Sequence, residues 1–389
     1  HLDELEMLAE TANVKTLGVI TQKLHRINPA FYIGKGKAQQ VIEQAKLLNA
    51  NVVIFDDELS PAQIKNYHKL AKKIKVIDRS ALILDIFKKR AKTREAKTQV
   101  ELALCQYLLP RLTRQWTHLE RQMGGVGTRA GMGETQIEID RRLIREKISK
   151  LKIDLKKIES ERKTQSQNRG KEYRVALVGY TNAGKSTLFN SLTGNEVYVE
   201  NQLFATLDTT VRKLKLNKKH QVLLSDTVGF IRKLPHNLVA SFRSTLKELL
   251  EADHILIVLD ASSNIIEEHL ETINLVLNEL GATEIPKSYI FNKIDLIKKD
   301  VDLRKLKSSF NNAIFISALH HLKLDNIKKH LIDKVESNFD IFDLNIAYDQ
   351  GKILSEIQDQ AEILDTDYGD EFIKLKIRGR ENSIKRLFK

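Results

Sequence analysis

The chain has 389 residues, 42% of them hydrophobic and 30% charged, which predicts two or three globular domains and excludes collagen-like or wholly disordered chains. No run approaches the roughly 18 uncharged apolar residues of a membrane helix, and HILIVLD is among the longest, so a membrane-spanning class is excluded. The net charge of +13 lies in the first part of the chain: residues 1–169 hold 33 Lys and Arg against 20 Asp and Glu, whereas residues 170–389 hold 31 of each. Residues 88–169 alone hold 21 against 10. Such asymmetry is the footprint of a polyanion-binding surface, and its plainer reading is a solvated helix face. The single cysteine, Cys105, forms no internal disulfide or zinc cluster, and the start HLDELEML carries no basic-then-apolar signal pattern. A trimmed start and a reducing cytoplasm are therefore expected, not an exported precursor.

In chain order, TLGVITQ, NVVIFDD and IKVIDRS are short β-branched segments separated by helical patterns, which predicts βαβ units and a parallel sheet over residues 1–90. Ser60 and Pro61 open one of the helices as N-cap and first helical residue. YIGKGK places Gly34 and Gly36 beside Lys35 and Lys37 at a strand-to-helix turn. That turn is either a plain tight turn or a phosphate contact. Residues 91–168 read as two helical arms broken by GGVGTRAGMGE, with five glycines between Gly124 and Gly133. On the second arm Ile144, Ile148, Leu151, Leu155 and Ile158 recur at the 4–3 spacing of a coiled-coil seam. An antiparallel hairpin follows, with arms of roughly 25 residues and about 35 to 40 Å long. Arg129 would sit at its tip. Trp116, beside Arg111, Arg114 and Arg121, is a seam residue or a base-stacking platform. QSQNRGKE marks a linker, strands and helices alternate over 169–337, and residues 338–389 read as strand, helix, strand, helix, a small α+β unit.

The chemistry is concentrated in the third segment. Gly179, Tyr180, Thr181, Asn182, Ala183, Gly184, Lys185, Ser186 and Thr187 follow the strand pattern RVALV and precede the helical STLFNSL. Gly-x4-Gly-Lys-Ser in that setting is a P-loop: backbone N–H groups wrap phosphates, Lys185 reaches the β and γ phosphates, and Ser186 ligates Mg2+. Asn292, Lys293, Ile294 and Asp295 end the pattern SYIF. The Asp295 carboxylate can accept both the N1–H and the exocyclic amine of guanine, a pair of donors that adenine lacks. Asn292 braces that site and Lys293 lies along the base plane. Ser317, Ala318 and Leu319 are placed where a backbone N–H can meet the guanine O6. Asp226, Thr227, Val228 and Gly229 end the strand VLLS, with Asp226 holding Mg2+ through water and the Gly229 N–H meeting the γ phosphate. Phe204, Ala205, Thr206, Leu207 and Asp208 form switch I, where Thr206 is the second hydroxyl ligand of Mg2+. Loss of the γ phosphate releases both loops. GTP and GDP are the expected ligands, and Lys185, Thr206 and Gly229 the residues nearest the chemistry.

These segments, with NPAFYIGKGK, VVIFDDELSPAQ, YLLPRLTRQWTHLERQMGGVGTR and DTVGFIRKLPHNLVASFRSTLKE, resemble the HflX family of translation-factor-related GTPases over nearly the whole chain. The resemblance implies an α/β multidomain protein: an N-terminal α/β subdomain, a helical hairpin, a G domain and a small C-terminal domain. It also implies Mg2+-dependent GTP hydrolysis, binding to the large (50S) ribosomal subunit, splitting of stalled or stress-idled ribosomes, and an ATP-handling role for the N-terminal part. Thr209 stands where the family usually has proline, and Leu319 where lysine is common.

Phe230 follows Gly229 where many small GTPases place a water-orienting glutamine, so slow intrinsic hydrolysis and stimulation by a partner are expected. Asn182 either ligates a K+ that neutralises developing charge, as in potassium-stimulated relatives, or braces switch I. Arg129, Arg141, Arg142 and Arg145 are the expected rRNA phosphate contacts. A monomer is expected. A ribosome-assembly GTPase, or a signalling switch whose hairpin docks protein, would carry the same motifs.

Overall fold

The computed structural model describes residues 2–112, 136–167, 172–194, 203–204, 209–218, 220–233, 247–297, 300–337, 340–348, 350, 353–354, 356–357, 361–369, 372–379 and 384. Trp116, Arg129 and the glycine-rich tip therefore lie outside the described residues, as do Ala205, Thr206, Leu207 and Asp208.

The N-terminal part contains α1 (Leu2–Thr11), α2 (Lys35–Leu47), β1 (Val52–Phe55), α3 (Pro61–Leu70), β2 (Lys75–Asp78) and α4 (Arg79–Arg90). Ser60 caps α3 as its sequence promises: its hydroxyl accepts from the Gln63 N–H at 3.2 Å while the Ser60 N–H donates to Gln63 Oε1 at 2.8 Å. β1 and β2 pair in parallel, and α2 and α3 cover them with Ala38, Ile42, Ile64 and Tyr67. TLGVITQ, however, is not a strand. Among the described residues it joins no ladder, and Leu17, Val19 and Ile20 stand 46%, 55% and 37% exposed. β-branched composition favours a pleated surface only where a neighbouring edge is present to pair with. YIGKGK likewise follows no strand; an isolated bridge between Asn28 and Tyr32 closes the turn before it.

α5 (Arg94–Leu108), capped by Thr93, packs antiparallel on α6 (Gln136–Gln167). Leu102, Cys105 and Leu112 meet Ile144 and Leu151, with Ile148 and Leu155 against them, and Lys147 pairs with Glu101 at 2.5 Å. The arms are unequal: α6 has 32 residues, about 48 Å, while the described part of the first arm is a 15-residue helix and a short 3-10 turn.

The third part is a six-stranded sheet in the order β4-β5-β3-β6-β7-β8. Its strands are β3 (Tyr173–Gly179), β4 (Thr210–Lys215), β5 (Gln221–Asp226), β6 (His254–Asp260), β7 (Lys287–Asn292) and β8 (Ile314–Phe315). Only β4 runs antiparallel to its neighbour. β3 and β6 are apolar almost throughout because helices cover both faces. α7 (Lys185–Thr193) and α10 (Leu324–Ser337) pack on one face through Leu188, Phe189, Ile327 and Leu331. α8 (Ile266–Leu280) packs on the other through Ile273 and Leu277, and that core runs on without a break into Leu5 and Leu8 of α1 and Ile83 and Phe87 of α4. α9 (Asp300–Ser309) lies between β7 and β8 in sequence.

The C-terminal part has three strands where two were expected. β9 (Asp340–Ala347), β10 (Glu362–Tyr368) and β11 (Phe372–Gly379) form an antiparallel sheet in the order β10-β11-β9. The stretch read as one strand folds back after Tyr368, where the Gly369 N–H donates to the Phe372 carbonyl at 3.1 Å. Among the described residues, no helix is long and apolar enough to cross a membrane.

One buried polar cluster sits at the amino-terminal ends of β6 and β7, the end of the sheet away from the P-loop. His254 Nε2 lies 2.8 Å from Ser288 Oγ, which lies 2.7 Å from His330 Nε2, and His254 is 1% exposed. Burial, with His330 and Lys334 adding to it, pushes the His254 imidazole down to about 4. A histidine depressed in the folded state takes up protons more readily when unfolded, so stability is full above pH 6.5 and falls as the pH drops from 6.5 towards 4. Urea unfolding should show a loss of about 2 to 3 kcal/mol over that window, and His254→Gln should flatten the slope.

Candidate nucleotide site

β3 ends at Gly179, and the chain turns through Tyr180–Gly184 before α7 begins at Lys185. Asn182 and Gly184 take left-handed backbone angles, φ 61° and 89°, which close the turn and point successive N–H groups inward. Gly184 is required twice over, by its φ and because a Cβ there would stand 2.2 Å from Asn292 Nδ2. Lys185 is 6% exposed, and its Nζ donates to the carbonyls of Gly179 at 3.1 Å and Tyr180 at 2.9 Å. Burial pulls the ammonium down to about 8, opposed by the nearby Asp226 carboxylate. A buried cation bonded to two carbonyls beside one carboxylate is what an incoming polyphosphate would stabilise.

Ser186 Oγ donates to Asp226 Oδ2 at 2.7 Å. Thr227, next along, donates its hydroxyl to the Leu177 carbonyl at 2.6 Å, which fixes the end of β5 beside β3. Gly229 lies against the turn: a Cβ there would come within 2.9 Å of Thr181 and 3.0 Å of Lys185 Nζ. Thr187 is inside α7, its carbonyl accepting from Ser191 Oγ at 2.9 Å.

Asn292 joins three loops. Its Nδ2 donates to the Ala183 carbonyl at 3.0 Å, and its Oδ1 accepts from the Ala318 N–H at 2.9 Å. Lys293, at φ 62°, reaches Asp260 at 2.8 Å and caps the short turn Ile294–Leu296 that carries Asp295. In the segment expected to offer a backbone N–H to guanine O6, the Ser317 N–H donates to the Leu322 carbonyl at 3.2 Å and the Ala318 N–H to Asn292, while Leu319 is exposed.

The structure brings the phosphate turn, Asp226, Gly229, Asn292, Asp295 and Ser317–Leu319 to one end of the sheet. It does not bring the side chain of Phe204 there. That residue, expected beside the nucleotide, has φ 55° and is 2% exposed, its ring 4.6 Å from that of Phe87 in an edge contact. A bare phenyl gains more from the apolar core than from a polar cleft, so any contact from Phe204 is through its backbone. Val228 is turned into the same core. Arg141, Arg142 and Arg145 are exposed on α6. Sequence reasoning missed three residues: Ser191, whose hydroxyl also reaches the Ala318 carbonyl at 2.9 Å; Asp260; and His320, whose Nε2 lies 3.7 Å from Asp295. Only the first has a sequence signal, a hydroxyl one helical turn after Thr187.

A mixed sheet with one antiparallel edge strand, a glycine-rich turn running into α7 from the end of β3, and the Asn-Lys-x-Asp segment Asn292–Asp295 beside it define a P-loop GTPase. Family profiles agree: residues 1–88 match the GTP-binding GTPase N-terminal region, 90–169 the GTP-binding GTPase middle region, and 174–293 a profile described as 50S ribosome-binding GTPase. The chain is 46% identical over 356 residues to the GTPase HflX of Flavobacterium psychrophilum, covering 86% of each chain. It is 43% identical over 377 residues to that of Caldanaerobacter subterraneus subsp. tengcongensis, covering 96% of this chain and 86% of the relative. With that of Escherichia coli it shares 44% over 358 residues, 91% of this chain and 83% of the relative. Among solved structures, a GTP-binding protein from Sulfolobus solfataricus in complex with GDP is 27% identical, with a TM-score of 0.45 over 85% of this chain and 94% of that one. The chain belongs to the HflX GTPase family. It binds guanine nucleotides and hydrolyses GTP.

Because Asn292 is buried and both ends of its amide are engaged, Asn292→Ala should weaken GDP and GTP alike by about 10- to 100-fold. Titration with a fluorescent nucleotide would check this, and an unchanged affinity would remove Asn292 from the site.

Proposed function

We propose that this GTPase binds the large (50S) ribosomal subunit through its basic hairpin and splits stalled or stress-idled ribosomes, its hydrolysis accelerated by the particle. The observation that carries the reading is the exposed row Arg141, Arg142 and Arg145 on α6, joined in one chain to a nucleotide switch. The match of residues 174–293 to the 50S ribosome-binding profile supports it. The chain would divide into an N-terminal subdomain (1–90), the hairpin (91–168), the G domain (169–337) and a small C-terminal domain (338–389), acting as a monomer in the cytoplasm.

Within the site, Lys185 leaves the Gly179 and Tyr180 carbonyls to pair with the β and γ phosphates. The Gly229 N–H meets the γ phosphate, and Asp295 reads guanine. Ser186 Oγ and Asp226 Oδ2, 2.7 Å apart, are hard oxygen donors of the kind that suits Mg2+, with Asp226 acting through water and Thr206 as the further ligand. When bound, Mg2+ supplies neutralisation of charge on the β and γ oxygens. Phe230 is 2% exposed in the apolar core and has no group to orient water. Purified protein should therefore turn over slowly alone, and large subunits should raise the rate by about 10³ to 10⁵; several turnovers per second without ribosomes would sink the idea. A potassium role for Asn182 requires faster hydrolysis in KCl than in NaCl at matched ionic strength.

Reversing the charges of Arg141, Arg142 and Arg145 should weaken attachment to the particle and lower the slope of log affinity against log salt by about three. Sucrose gradients with 70S particles and GTP distinguish splitting from a role confined to assembly.

A further inference from the structure

β6 ends at Asp260, whose partner in the ladder is Asn292 at the end of β7. The next N–H, that of Ala261, still donates to the Asn292 carbonyl at 2.8 Å, so the chain leaves the two strands side by side. After Asn292 the backbone turns left-handed at Lys293, φ 62°, a conformation that a residue with a Cβ keeps only where its surroundings over-determine it. The side chain then reaches the end of β6, where Nζ meets Asp260 Oδ2 at 2.8 Å.

Asp260 is itself fixed. Its Oδ1 accepts from the Ser262 N–H at 2.9 Å and from Ser262 Oγ at 2.6 Å, a local turn that leaves Oδ2 for the lysine. Burial pulls the neighbouring His269 imidazole below its ordinary range, so at neutral pH the cation paired with Asp260 is Lys293. The two side chains are 24% and 21% exposed, and a partly buried pair of this kind is screened less than one on the open surface. The turn that carries Asp295 is held separately. There the Ile294 N–H donates to the Ile316 carbonyl at 3.2 Å and the Leu296 N–H to the Lys293 carbonyl at 3.0 Å, so the carboxylate that reads the edge of the base does not depend on the pair.

A lysine stem is flexible, and ordering it at the moment of binding lowers affinity. We propose that Asp260 is a positioning residue of the nucleotide site: by holding Lys293 Nζ it keeps the lysine stem along the plane taken by the purine, so that the stem is ordered before the base arrives. Asp260 itself touches no part of the nucleotide. It acts through Lys293 on the face of the ring, whereas Asp295 acts on the edge. The inference rests on the guanine site proposed above.

The test measures dissociation constants of the full chain for GDP, for a non-hydrolysable GTP analogue and for inosine diphosphate, which lacks the exocyclic amine of guanine. Asp260→Asn should weaken all three by one common factor, about 3- to 10-fold, because the pair reads neither the γ phosphate nor the amine. In a Lys293→Ala background the same substitution should change affinity by less than twofold, whereas simple damage to the end of β6 would persist there. Ser262→Ala, at an exposed position, removes one of the two bonds that orient Asp260. It should give a smaller loss in the same direction, and it carries the test should Asp260→Asn fold poorly. Unchanged affinities, a loss that survives in the Lys293→Ala background, or a loss that spares inosine diphosphate would overturn the positioning role while leaving the site intact. A wild-type chain that does not prefer guanine over adenine nucleotides would instead overturn the site.

Discussion

The side-chain amide of Asn292 holds together loops that leave three different strands. Placed at the end of β7 and 2% exposed, it satisfies a carbonyl of the phosphate turn with its N–H and an N–H of the Ser317–Leu319 loop with its oxygen. Parallel strands bring their carboxyl ends to one side, and a ligand crevice opens there. The loops at those ends need a common fastening, because nothing in the ladders themselves fixes their mutual spacing. A buried amide engaged at both its nitrogen and its oxygen supplies it, and the low dielectric strengthens those bonds. Gly184 follows from this constraint, since no larger residue can pass beneath Asn292.

The second constraint is apolar. Leu203 and Phe204, at the entry to the segment read as switch I, and Val228, Phe230 and Ile231, around Gly229, share one core with Leu5 and Leu8 of α1 and Ile83 and Phe87 of α4. Burying a side chain such as Phe or Ile is worth about 1.5 to 3 kcal/mol. The segments on either side of the nucleotide site are therefore anchored by apolar contacts to another part of the chain. Packed interfaces of this kind rearrange between discrete arrangements instead of deforming smoothly. The polar contacts around them are arranged in the same spirit. Arg79 is 3% exposed, and burial pulls its guanidinium down to about 10; the Glu4 and Asp56 carboxylates make that burial tolerable.

Features that depend on a few neighbouring residues were legible beforehand. The phosphate turn is written in the spacing of Gly179, Gly184, Lys185 and Ser186, and the seam of α6 in the recurrence of Ile144, Ile148, Leu151, Leu155 and Ile158. Three of those five are 5% to 8% exposed in the folded chain. The Ser60 cap on α3 was equally plain. TLGVITQ was not, because its composition states a preference while a strand exists only beside another edge. The extra C-terminal strand escaped notice because Gly369 lies in an otherwise continuous run, and a turn there is decided by the pairing of β10 with β11.

The amino-acid order by itself determined the chemistry available: a cation, hydroxyl and carboxylates at spacings that suit a guanine nucleotide, and a basic surface on one long helix. Only the tertiary structure decided direction. Tyr180 belongs to the phosphate turn by position but to α1 and Arg232 by contact, and Phe204 belongs to switch I by position but to the core by burial. The physical reason is that backbone turns are set by short-range sterics and hydrogen bonds, whereas a side chain's environment is set by residues that may lie 176 positions away, as Glu4 does from Tyr180.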